Sequence, residues 1–196
     1  MARQRDPGAR DRILDAASRL FAEHGVHAVG LQRIIDECGC GKNLLYREFA
    51  NKDDLVVAHL QRCRQEWQAI VDEAAREAES DPARQLVALV RAVVGQASQD
   101  GFRGCPLRNA YPEFPDRTHP VHQVIVTHHA ERRDHLRGLA RQAGARDPDA
   151  LAARVDLVID GINANGAVLG AAGSIRAAVA LAEDVVNAQC GAAPNL

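Results

Sequence analysis

Residues 31–49 read LQRIIDECGCGKNLLYREF, and their pattern decides the fold. Leu31 to Cys38 and Lys42 to Phe49 each make about two turns of helix with apolar residues at helical spacing. Gly39-Cys40-Gly41 interrupts them. Two short helices joined by so tight a turn pack across one another, and Ile34, Cys38, Cys40 and Leu45 have the spacing of the core this requires. Gly39 falls where the turn needs a left-handed backbone, which glycine enters without steric cost. The first helix then covers one side of the second and leaves its other face bare. A bare helix of this diameter fits the major groove of duplex DNA. Taken by itself, the segment also suits an ordinary αα-corner with no nucleic-acid role.

The flanking sequence has the same helical period. Upstream, Asp6 and Pro7 suit a helix start, Ile13, Ala17, Leu20, Phe21 and His24 recur on one face, and Gly25 stops the run. Downstream, Asn51 caps a long helix with Asp53 and Asp54 in its first turn, where the macrodipole favours anions. This helix passes Trp67 and ends near Glu79. Asp81-Pro82 opens a helix to about Ser98. Gly101 to Pro120 carries two Gly and four Pro and reads as an irregular connector with a short helix near Leu107–Ala110. Further helices are expected from about Val121 to Ala143, from Asp147-Pro148 to about Gly170–Gly173, and from Ser174 to about Cys190. No alternating strand pattern occurs. The expected fold class is all-α: an N-terminal three-helix unit over residues 1–51, then a helical bundle over 52–196.

Composition limits the function classes. The 196 residues are 46% hydrophobic and 26% charged, as in a globular protein. The longest uncharged, mostly apolar stretch, Gly161 to Ser174, is shorter than the roughly 18–20 residues a membrane span needs. The first eight residues lack the apolar core of a signal peptide, so a cytoplasmic location is expected. A net charge of −2 excludes nucleic-acid binding by bulk positive charge. From residue 1 to 47, eight Lys and Arg face six Asp and Glu, a net of +2, so any contact with nucleic acid comes from a local patch. Arg3, Arg5, Arg10 and Arg12 can form a basic arm or a solvated tail. With aromatics at 4%, a base-stacking platform is not expected. Five Cys without CxxC spacing point to reduced thiols.

Several elements together carry a family resemblance: residues 12–25 (RILDAASRLFAEHG), Ile34, Gly39, residues 45–49 (LYREF) and residues 51–55 (NKDDL), in order and without a gap. This N-terminal segment of about 60 residues resembles the TetR family of transcriptional regulators. The resemblance implies a homodimeric DNA-binding repressor, released from its operator when the C-terminal bundle binds a small molecule. It places Lys42, Asn43 and Leu44 where family members reach base edges. Tyr46 and Arg47 fall at positions that contact phosphate, and Lys52 matches a phosphate-holding lysine. Gln32 and Arg33 lie within reach of the backbone or a flanking base. The chemistry agrees: Arg and Lys neutralise phosphate, Tyr donates a hydrogen bond, and Asn pairs bidentately with adenine. Ile35 departs from the pattern, standing where a small residue is usual. Gly30 and Gly41 replace capping hydroxyl residues, and Leu44 replaces a small polar one.

One recognition helix reads too few base pairs for genomic specificity, so two copies about one DNA turn apart are expected. The proposed interface is the last two helices. Leu157, Ile159, Ile162, Ala164, Val168 and Leu169 surround much of the first, with Gly161, Gly166 and Gly170 suited to close packing. Val179, Leu181, Ala182, Val185 and Val186 line the second. A ligand pocket is expected among the middle helices, near Trp67, Phe102, Cys105, Asn109, Tyr111 and Glu113. His128, Glu131 and His135 share a helix face with metal-ligand spacing, and Cys38 and Cys40 flank the turn. A metal- or thiol-responsive regulator is therefore an alternative, as is a helical protein–protein adaptor. No phosphate loop, HExxH motif or nucleophile elbow is present, so an enzyme is not expected. Neither a cofactor nor a resident metal is assigned.

Overall fold

The computed structural model describes residues 8–169 and 174–191. Among these, all regular structure is helical: α1 (Ala9–His24), α2 (Leu31–Cys38), α3 (Lys42–Glu48), α4 (Lys52–Glu77), α5 (Pro82–Ala97), α6 (Pro106–Ala110), a 3-10 turn (Tyr111–Glu113), α7 (Pro120–Gln142), α8 (Pro148–Leu169) and α9 (Ser174–Cys190). Local chemistry accounts for the starts. The Asn51 carboxamide accepts the Asp54 amide at 2.8 Å, Asp81 accepts those of Ala83 and Arg84 at 2.9 and 3.2 Å, and Asp147 accepts that of Ala150 at 3.0 Å. Helix α1 is described from Ala9, with Gly8 as its N-cap. Asp6, Pro7, Arg3, Arg5 and the Gly170–Gly173 stop lie outside the described residues.

The chain forms two compact units. The first comprises residues up to Arg64 together with Pro106–Val126, and the second comprises Gln65–Cys105 with residues from Thr127 onward. Compactness therefore divides the molecule differently from the 51/52 boundary. The start of α4, the connector and the first turns of α7 all belong with the helix-turn-helix.

In the first unit, α1, α2 and α3 pack on one another. Ile13, Ala16, Ala17, Ile34 and Leu45 are completely buried, as are Leu55 and Val56 of α4. His59 of α4 is also buried, within 2.8 Å of the Ser18 hydroxyl and edge-on to Phe21 of α1. On the rim, Arg62 pairs with Asp11 at 3.0 Å and Asp15 at 2.5 Å.

The second unit has its core between α5, α8 and α9, joined by Val71 and Ala74 of α4 and by Leu136, Leu139 and Ala140 of α7. Close packing at a helix glycine occurs at Gly166: a Cβ there would lie 2.9 Å from both Ala97 Cβ and Phe102 Cε1. Gly161 faces open space, and Gly170 is outside the described residues. One buried ionic cluster has no simple sequence signal. Arg132 of α7 lies 2.7 Å from Asp156 and 2.9 Å from Asp160 of α8. A charge so buried is retained only with such partners.

Candidate nucleic-acid interface

Helix α2 ends on Gly39, whose φ of 61° and ψ of 24° are left-handed. The Cys40 amide returns to the Ile35 carbonyl at 3.2 Å, which closes the turn. Gly41 then caps α3 in extended conformation, and neither Gly30 nor Gly41 supplies a side-chain cap. Ile35, large where a small residue was usual, is accommodated as a buried residue.

Burial then sorts α3 into two faces. Leu45 is completely buried and Leu44 half-buried, while Lys42, Asn43, Tyr46 and Arg47 are exposed. Positions 42, 43, 46 and 47 fall on one side because helix neighbours recur at three and four residues. The Lys42 ammonium sits 5.9 Å from the Tyr46 ring centroid. Arg47 pairs with Glu48 at 3.2 Å. Glu48 is half-buried. The face therefore presents two cations, a phenol and a carboxamide over a rigid apolar base. Gln32 and Arg33 are also exposed, with Gln32 bonded to Asp36 at 2.8 Å and Arg33 to His24 at 2.6 Å.

Lys52 opens α4, and its ammonium donates to the His27 carbonyl at 3.4 Å. Burial lowers its pKa, opposed by the nearby charges of Glu113 and Asp53. Arg10 is not part of a basic arm. Its guanidinium donates to the Glu48 carbonyl at 2.9 Å and lies over the Phe49 ring at 4.3 Å, tying α1 to the end of α3.

The turn sets half-buried Cys38 and Cys40 side by side, their Cα atoms 5.3 Å apart and their sulfurs close enough to pair as a disulfide. Cys63, Cys105 and Cys190 are not in disulfides.

The six residues expected around a ligand are divided. Trp67, Phe102 and Cys105 belong to the second unit, and Asn109, Tyr111 and Glu113 to the first. Trp67 lies edge-on to buried His128 at 6.2 Å, and Phe102 packs on the bundle core. Asn109 and Tyr111 are exposed. The Glu113 carboxylate accepts the backbone amides of Val26 at 2.9 Å and His27 at 2.6 Å. Sequence reasoning missed this contact, which joins positions 86 residues apart. The expected His128, Glu131 and His135 face is also divided, with His128 buried, His135 half-buried and Glu131 exposed. Burial lowers the His135 pKa. Among the described residues, no group of three or more His, Cys, Asp or Glu is placed to hold a metal ion.

The last two helices expose apolar residues. Ile159, Ile162, Ala182 and Val186 face the core, whereas Leu157, Val168 and Leu181 are 70%, 80% and 51% exposed. A groove of about 470 Å³ runs between α8 and α9, lined by Leu157, Val158, Ile162, Ile175, Leu181 and Val185 among others. Among the described residues, no helix is long and apolar enough to cross a membrane.

Comparison with known proteins agrees with this architecture. Residues 13–59 match the family described as bacterial regulatory proteins, tetR family, and residues 82–182 match the tetracyclin repressor-like C-terminal domain. The HTH-type transcriptional regulator BetI of Rhizobium meliloti is 29% identical over 93% of this chain and 90% of its own length. The HTH-type transcriptional activator FasR of Mycolicibacterium smegmatis is 43% identical over 27% of this chain and 24% of its own. The crystal structure of SCO4454, a TetR-family regulator from Streptomyces coelicolor, superposes with a TM-score of 0.88 at 32% identity, covering 93% of this chain and 96% of that one. Helix-turn-helix, bundle and relatives agree, and the chain belongs to the TetR family of DNA-binding transcriptional regulators, which are not enzymes.

Proposed function

We propose that this regulator is a dimeric, sequence-specific repressor that leaves its operator when a small molecule binds its C-terminal bundle. The observation that carries the reading is α3, whose exposed Lys42, Asn43, Tyr46 and Arg47 stand on fully buried Leu45. Asn43 is suited to an adenine edge and Lys42 to guanine or phosphate. Half-buried Leu44 keeps enough surface to meet a thymine methyl. Tyr46, Arg47 and Lys52 hold phosphates, with Gln32 and Arg33 reaching the flanking backbone. The apolar groove between α8 and α9 supports dimerisation there, since an exposed patch containing Leu157, Val168 and Leu181 gains by meeting its own copy. Within the bundle, Trp67, Phe102 and Cys105 are the residues assigned to the ligand. A ligand releases DNA only by binding the two conformations unequally. Repression is the default for the family, although FasR is named an activator. A DNA-binding regulator works where the DNA is, so the proposed location is the cytoplasm.

The test is a gel shift on duplex from the region next to the protein's own gene, over a series of salt concentrations. Specific, steeply salt-dependent binding is expected. Tyr46→Ala and Arg47→Ala should each weaken it with the far-UV circular dichroism unchanged, and Arg47→Ala should reduce the salt slope by about one unit. An adaptor would show no salt-sensitive duplex binding, and wild-type affinity in both variants would remove α3 from the interface.

A further inference from the structure

The connector between Pro106 and His119 grips the loop between α1 and α2. The two oxygens of Glu113 accept successive amides, from Val26 at 2.9 Å and His27 at 2.6 Å, and one lies 3.2 Å from the His27 ring nitrogen. Gly25 makes room for this approach. Its φ is 79°, and a Cβ there would stand 3.2 Å from the carboxylate. The next residue, buried Phe114, stacks on the His27 ring at 4.9 Å. Phe114 is fixed in turn by the His119 ring at 4.9 Å and by His122 on its carbonyl at 2.8 Å. From the other side, His119 reaches Asp53 at 3.3 Å and Lys52 reaches the His27 carbonyl at 3.4 Å. Connector, α1–α2 loop and the first turn of α4 thus converge on His27.

We propose that Glu113 is a positioning residue for DNA binding, holding the α1–α2 loop and, through His27, the Lys52 end of α4 in the arrangement that meets the phosphate backbone. This rests on the reading of α3 and Lys52 as the DNA interface. The chain passes between the two units at 64/65, 105/106 and 126/127, and two of these crossings bound the segment that carries Glu113. The segment that carries Glu113 is therefore joined to the second unit at both of its ends. Two charge-assisted hydrogen bonds to backbone are stronger than neutral ones, and their loss leaves the partly covered Val26 amide seeking another partner.

The experiment uses the full chain and a duplex selected by the wild-type protein from random-sequence DNA. If no duplex is selected, the DNA-binding reading itself fails, before Glu113 is tested. With a selected duplex, Glu113→Ala should bind about tenfold more weakly. Its salt slope should equal the wild-type slope, because no phosphate contact is removed. Amide exchange at Val26 and His27 should accelerate, and the active fraction by stoichiometric titration should stay at the wild-type value. Glu113→Gln keeps one carbonyl acceptor and should fall between the two, and it decides the matter if Glu113→Ala does not fold. His27→Ala retains both backbone amides and should bind more tightly than Glu113→Ala. Wild-type affinity in Glu113→Gln and in folded Glu113→Ala overturns the proposal. So does a weakening wholly accounted for by a smaller active fraction, which would make Glu113 a stability residue only.

Discussion

Acidification from pH 7 to pH 4.5 is expected to cost this protein about 2.5 kcal/mol of stability through His59 alone. His59 is 5% exposed. Burial, with the Arg62 charge second, pushes its imidazole down from 6.5 to about 4. The neutral ring can accept from the Ser18 hydroxyl at 2.8 Å and lies edge-on to Phe21. In the unfolded chain the same ring takes its proton near pH 6.5. Between these values the unfolded state holds one proton more than the native state, so stability rises with pH. The contribution is complete above 6.5 and is lost as the pH falls towards 4. The assay is urea unfolding at both pH values for the wild type and His59→Gln, at one protein concentration so that any association contributes equally. Half-buried His135, whose pKa burial also lowers, is present in both proteins and cancels in the difference. The wild type should lose about 2.5 kcal/mol more than the variant. Parallel losses in the two proteins would refute the assignment of a buried neutral imidazole between α1 and α4.

Other perturbations test other contacts. Gly166→Ala drives a methyl into Ala97 and Phe102, both 2.9 Å from the added carbon, and should lower stability by about 1–3 kcal/mol in urea unfolding. Gly138→Ala, facing open space within α7, should instead raise it by about 0.5–1 kcal/mol. Leu157→Arg places a charge on an exposed apolar face, and size-exclusion chromatography with light scattering should show a monomer with wild-type helix content. Reduction of Cys38–Cys40 opens a very short loop, and should cost about 1.5 kcal/mol and a few degrees of Tm while the helical circular dichroism persists. Two thiols should become newly titratable in the reduced protein.

Helix α3 shows how far local reasoning extends. Its bounds, its left-handed Gly39 and its exposed positions follow from a period of 3.6 residues and one turn geometry, all within 20 residues of chain. The caps at Asn51, Asp81 and Asp147 were equally legible, because a capping side chain bonds an amide two or three residues away. Cys38 and Cys40 fall short of this. Their spacing suggested a buried pair, but whether two sulfurs meet depends on how the turn aims them. The histidines of α7 show the same limit, since periodicity grouped His128 with Glu131 and packing put one inside and the other outside.

The sequence alone determined the helices, their order, the exposed face of α3 and the family, because each rests on interactions between near neighbours or on motif order along the chain. Tertiary structure decided where Glu113 spends its charge, how Arg132 finds Asp156 and Asp160, and why Gly166 must stay small. These contacts join residues dozens of positions apart, and their partners exist only once the helices have packed.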